Sequence, residues 1–187
     1  MSIGLALLGA CAPASAIIGG REGGPLAGAM LMVLRGGGGV CSGVALAPDV
    51  VLTAAHCVAG GAEIRLHWRE PDGQPALVPP AAVAVHPGYR ADAIQTRQRS
   101  IDIALIRLDA PLPGFSGATL STAQPRAGES TIVAGFGAGR EGDPRSLGPL
   151  RSATLSVVEP YGPGRILLWA ADPRGLGKSP GAGACQG

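Results

Sequence analysis

Aromatic side chains are scarce in this sequence, with two tryptophans, two tyrosines and two phenylalanines among 187 residues. Stacking platforms for single-stranded nucleic acid need more rings than that. A dominant charge sign is missing too. Against 15 Lys and Arg stand 13 Asp and Glu, a formal net charge of +2 that creates no field for nucleic acid or for an acidic membrane surface. The three histidines and four cysteines lack zinc spacing, so no metal and no other cofactor is expected.

Glycine and proline are abundant instead, at 31 and 17. Apart from the run Gly36 to Gly39, they punctuate short apolar segments rich in Val, Ile, Leu and Ala, which is the pattern of strands joined by turns. The fold class expected is therefore all-β, in a chain long enough for one sizeable domain or two small ones. Six strand-like segments, near residues 29–34, 40–47, 50–55, 62–69, 80–86 and 102–108, suffice to close a small barrel. In Ile64-Arg65-Leu66-His67-Trp68-Arg69 the alternation places Ile64, Leu66 and Trp68 inward and His67 outward into solvent. Pro111, Pro113 and Gly114 then break the pattern, a polar linker follows to Pro125, and further strands are expected over 131–136, 150–158 and 165–171. Glu70 and Asp72 read as solvated turn residues.

Residues 1–16 carry an apolar run from Ile3 to Ala10 and the small-residue ending Ala14-Ser15-Ala16, the form of a cleaved export signal, although no Lys or Arg precedes the run. Leu8-Gly9-Ala10-Cys11 also looks like a loose lipoprotein box, which would anchor the chain to a membrane through Cys11. Secretion or periplasmic export without an anchor is the preferred reading.

In the stretch Val51-Leu52-Thr53-Ala54-Ala55-His56-Cys57, apolar strand formers run into small residues that deliver a histidine beside a cysteine. The whole local pattern resembles the histidine motif of the chymotrypsin-like serine proteases. Other motifs of that family recur in order and at compatible spacing. They are Ile17-Ile18-Gly19-Gly20, the turn His86-Pro87-Gly88-Tyr89, the segment Asp102-Ile103-Ala104-Leu105, the turn Gly135-Phe136-Gly137 and the closing Cys185-Gln186-Gly187. A carboxylate such as Asp102 at the head of an apolar strand demands a partner, since burial without one costs several kcal/mol, about 2–7 for a polar group and more for a charge. The resemblance supplies that partner in His56.

This resemblance covers residues 17–187 and implies a double six-stranded antiparallel β-barrel, the first barrel complete over 17–113 and the second incomplete over 114–187. It implies a serine endopeptidase acting on a peptide or protein substrate as a monomer, with His56 as general base and acid and Asp102 as the residue that orients it. It pairs Cys41 with Cys57, two separate buried thiols being the alternative. It makes Ile17 the activating N-terminus, Gly183 the uncharged floor of a pocket for small or medium apolar side chains, and Gly187 one donor of the oxyanion hole. The family motif continues with Asp-Ser-Gly-Gly-Pro, which is not found among the 187 residues, and Cys185 lacks its family partner. The 187-residue chain is accordingly expected to be an inactive fragment of a protease. The alternative is a non-catalytic binding protein that retains the cleft.

Overall fold

A computed structural model describes residues 17–138, 147–159, 168–174 and 182–184. Its elements in chain order are β1 (Ile17–Ile18), β2 (Arg21–Glu22), a 3-10 turn (Ala27–Ala29), β3 (Met30–Arg35), β4 (Gly39–Ala47), β5 (Val50–Thr53), α1 (Ala55–Val58), β6 (Ile64–Arg69), β7 (Pro75–Val78), β8 (Ala82–Val85), α2 (Ala93–Thr96), β9 (Ala104–Arg107), β10 (Ser130–Gly135), β11 (Arg151–Glu159), β12 (Trp169–Ala171) and β13 (Gly183–Ala184). Among the described residues no helix is long and apolar enough to cross a membrane.

Seven antiparallel strands form the first sheet in the order β7-β6-β3-β4-β5-β9-β8, curled into a half-barrel. Alternation drives the curl. Leu31 and Val33 of β3, Val51 of β5, Leu66 of β6 and Ile106 of β9 are fully buried on its concave face, each worth about 1.5–3 kcal/mol relative to exposure. Ile64, Leu66 and Trp68 point inward as the sequence predicts. Trp68 meets Phe115 edge to face at 6.2 Å between ring centroids, which draws the segment after β9 back onto the core. That segment is no loose linker, because Ser116 N–H donates to Gly28 O at 3.1 Å and Ala118 N–H to Ala45 O at 2.7 Å.

One strand more is present than the six expected. β7 follows the turn Glu70-Pro71-Asp72-Gly73-Gln74, which Gly73 (φ 85°) and the bond from Gln74 N–H to Asp72 Oδ1 make tight enough to fold the chain back beside β6. Only four residues long, begun by Pro75 and followed by Pro79 and Pro80, it carries the composition of a loop and is tolerated as an edge strand. Its presence also corrects His67, expected in solvent. The ring is half-buried, with Nδ1 2.7 Å from Ala76 O on the new strand.

The second sheet runs β10-β11-β12, with β2 paired to β11 as well. Ala153, Leu155 and Val157 alternate inward along β11, and Ile17 packs against Ala153 and Leu155 with 2% of its surface exposed. β1 pairs with β13, Ile17 opposite Ala184 and Ile18 opposite Gly183. Residues 17–22, placed by the sequence with the first barrel, thus hydrogen bond to the second unit. A bond from Phe136 N–H to Ser42 Oγ at 3.0 Å ties the two sheets together.

Close packing explains why Gly43 stands in the middle of β4. A β-carbon there would lie 2.7 Å from Val51 Cγ1 and 3.2 Å from Val33 Cγ2, both on β-branched core side chains with little freedom to retreat. Gly43→Ala is expected to cost about 1–3 kcal/mol by overpacking, read as a lowered urea midpoint at unchanged m-value. A midpoint equal to wild type would mean that the core yields at no cost.

Candidate active site

The site is built by one register. β5 and β9 pair antiparallel with Thr53 opposite Ala104, so the residues that leave β5 and those that lead into β9 emerge side by side at one end of the sheet. After Thr53, whose Oγ1 donates to Ser42 O at 2.9 Å, Ala54 stays extended and the chain makes the single turn α1. Small residues are needed here, since Ala55 is completely buried against the core. Cys57 on that turn is disulfide-bonded to Cys41 on β4, with Cα atoms 6.2 Å apart. Closing a loop of this length stabilises the fold by roughly 3 kcal/mol in the chain-entropy model, and it fixes the backbone next to His56.

Asp102 is held from both sides by the His86-Pro87-Gly88-Tyr89 turn. That turn closes through Tyr89 N–H to His86 O at 2.9 Å. Ile101 N–H donates to Gly88 O at 3.0 Å, and His86 N–H donates to Ile103 O at 2.9 Å. The carboxylate therefore projects from a segment clamped one residue before and one residue after it. Ser100 Oγ adds a further brace, accepting from Arg90 N–H at 2.8 Å across the base of the loop that carries α2.

His56 and Asp102 meet at two points. His56 N–H donates to Asp102 Oδ1 at 2.8 Å, and Nδ1 lies 2.6 Å from Oδ2. An ionised carboxylate only accepts, so Nδ1 carries the proton and Nε2 keeps its lone pair. The two side chains are 41% and 43% exposed. Asp102 is thus not the interior carboxylate expected from its place before an apolar strand: it lies two residues ahead of β9, outside the sheet, and geometry rather than desolvation selects its partner. Nε2 is 3.4 Å from Cys57 Sγ, so the disulfide lies against the ring. Cys41, His56 and Cys57 form a cluster of metal-ligating residue types, but the two sulfurs are bonded to each other and offer no thiolate. Chemically, the arrangement is an oriented, accessible imidazole base.

The remaining residues singled out in the sequence lie elsewhere or outside the described residues. Ile17 and Gly183 are brought to adjacent strands, with Gly183 opposite Ile18. Gly19 has a φ of 67°, and a β-carbon at Gly20 would lie 2.5 Å from Ile17 Cγ2 and 2.8 Å from Ser152 O, so this paired segment needs both glycines. Cys11, Cys185, Gly187 and the export segment 1–16 are outside the described residues.

One buried acid went unread in the sequence. Asp172, 6% exposed, accepts from the Arg174 guanidinium, from Ala182 N–H at 2.8 Å and from Arg174 N–H at 2.9 Å, which hold its carboxyl down to about 2. These donors grip the ionised form. Their contribution is in place above the ordinary carboxylate value and is lost as pH falls through about 2. Asp172 anchors the strand that carries Gly183, and the only trace of this in the sequence is the turn-forming Asp172-Pro173 pair.

The Trypsin family model matches residues 17–165, a span that contains both His56 and Asp102. Human Kallikrein-15 is 34% identical over 118 residues, covering 60% of this chain and 44% of its own length. Kallikrein-15 of Saguinus oedipus is 29% identical over 168 residues, covering 79% of this chain and 63% of its own. The chain spans about half the length of these curated relatives. Among solved structures, neuropsin, a serine protease expressed in the limbic system of mouse brain, superposes with a TM-score of 0.66 at 24% identity, over 91% of this chain and 83% of that one.

The two-point grip makes a tautomer prediction. In Asp102→Asn the amide oxygen still accepts from His56 N–H, and the amide nitrogen then faces Nδ1 as a donor. The imidazole proton is expected to move from Nδ1 to Nε2, which nitrogen-15 NMR of the ring reads directly. An Nδ1–H tautomer retained in the variant would show that Oδ2 does not set the proton's place.

Proposed function

The chain belongs to the trypsin family of chymotrypsin-like serine proteases, and from that membership we propose that His56 and Asp102 are the proton-handling pair of an endopeptidase acting on peptide or protein substrates. The observation that carries this reading is the double hydrogen bond from His56 to one carboxylate, at 2.8 and 2.6 Å. As a nucleophilic hydroxyl attacks the scissile carbonyl, Nε2 takes its proton, and the imidazolium so formed lies against Asp102 without any reorganisation. The same nitrogen then returns the proton to the departing amine. Gly187 N–H is assigned to the oxyanion, Gly183 to an uncharged pocket floor that favours small or medium apolar side chains, and Ile17 to activation. A desolvated Arg or Lys over such a floor would lack a counter-charge. The Cys41–Cys57 disulfide supports an oxidising, extracytoplasmic site of action.

No serine of residues 1–187 is assigned as the nucleophile. Ser42 Oγ accepts from Phe136 N–H, Ser100 Oγ braces Arg90 and Ser152 Oγ donates to Gly23 O. Ser121, Ser130, Ser146, Ser156 and Ser179 lie outside any nucleophile motif.

The 187-residue chain is therefore expected to take no label from a serine-directed phosphonate, while hydrolysing an activated ester such as p-nitrophenyl acetate through His56. Replacing His56 with Gln is expected to lower that ester rate by about tenfold or more, and His67→Gln, at a ring that lies away from the pair against Ala76 O, to leave it unchanged. Stoichiometric phosphonate labelling would overturn the assignment of the serines. An ester rate indifferent to His56→Gln would overturn the assignment of the base.

A further inference from the structure

A second cluster of ligating side chains lies on the convex face of the first sheet, apart from His56 and Asp102. Met30 and Met32 are two of the three methionines in the chain. Standing two apart on β3, they share a face, opposite Leu31 and Val33, which are fully buried in the core. The β3–β6 ladder sets Met32 directly across from His67, so the three side chains share that face, the cross-strand pair about 5 Å apart at Cβ and the diagonal Met30 about 7–8 Å away, within reach of long side chains. All three line one cavity of about 990 Å³, together with Trp68 and Phe136.

The imidazole has one nitrogen to offer a ligand. Ala76 O can only accept, so the 2.7 Å contact places the proton on Nδ1 and leaves the Nε2 lone pair free. A backbone carbonyl on the far ring nitrogen is the usual outer partner of a metal-bound histidine. The donor set is two thioethers and one neutral imidazole, polarisable and uncharged. Such a set offers little to hard or borderline dications, whereas thioethers select Cu(I). A single positive charge is also cheaper to desolvate than a double one. Arg69, the charged residue lining this cavity, has its guanidinium bonded to Gly73 O at 2.9 Å.

We propose that Met30, Met32 and His67 form a binding site for a soft monovalent cation, Cu(I) or its air-stable analogue Ag(I).

The test is titration of Ag(I) into the full 187-residue chain with Cys11 and Cys185 alkylated, followed by NMR of the methionine methyl groups and the His67 ring. One equivalent is expected to shift the Met30 and Met32 methyls together with His67, and Zn(II) to move neither methyl. Met32→Leu keeps the side-chain volume and so the fold, and is expected to weaken binding by about tenfold or more. His67→Gln, with folding checked by circular dichroism, is expected to do the same. Methyl resonances that stay in place, or a titration unchanged by Met32→Leu, would overturn the proposal and leave the methionines as packing residues.

Discussion

The structure around the candidate site depends on the register between β5 and β9. Because Thr53 pairs with Ala104, the turn that follows one strand and the extended segment that precedes the other are delivered to the same spot, from positions 46 residues apart in sequence. A slip of one residue would turn Ile106 out of the core and Asp102 away from His56 together. Burial of Val51 and Ile106 on one face therefore specifies the chemistry on the end of the sheet. Fold and site are set by the same hydrophobic alternation.

Around that register the polar contacts act as local stops. The disulfide holds α1 against β4, the hydroxyl of Thr53 ties the end of β5 to β4, and the His86–Tyr89 turn grips the residues on either side of Asp102. None of these groups needs to touch a substrate. They restrict the backbone on both sides of an imidazole and a carboxylate that are themselves about two-fifths exposed, and an accessible pair stays in place only if its supports do. In the second unit the same role falls to Asp172, which ties the turn at Arg174 to Ala182.

Much of this was legible in the sequence because short strands with one buried face write their alternation plainly. Ile64, Leu66 and Trp68 are the clearest case, and the partnership of His56 with Asp102 came from the family resemblance that their motifs carry together. What was not legible has physical causes. β7 is an edge strand whose prolines imitate a loop, and missing it left His67 in solvent instead of against Ala76. Asp102 reads as buried because it precedes an apolar strand, yet a side chain two residues outside the sheet stays 43% exposed. The pairing of β1 with β13 joins segments far apart in sequence, for which no local period exists, and Asp172 is buried by a turn to Arg174 and a bond from Ala182 that follow no strand or helix period.

The central claim is that Asp102 holds His56 by its backbone and its ring at once, and the backbone half can be measured without any catalysis. Amide hydrogen exchange at His56 in the native protein is the most direct test, with Asp102→Ala as the comparison. Loss of a charged acceptor is expected to speed exchange at His56 by about tenfold or more, while the ladder amides of Leu52 and Ile106 keep their rates. Equal protection of His56 in both proteins would contradict the account, since it would mean that the carboxylate does not hold the histidine in place.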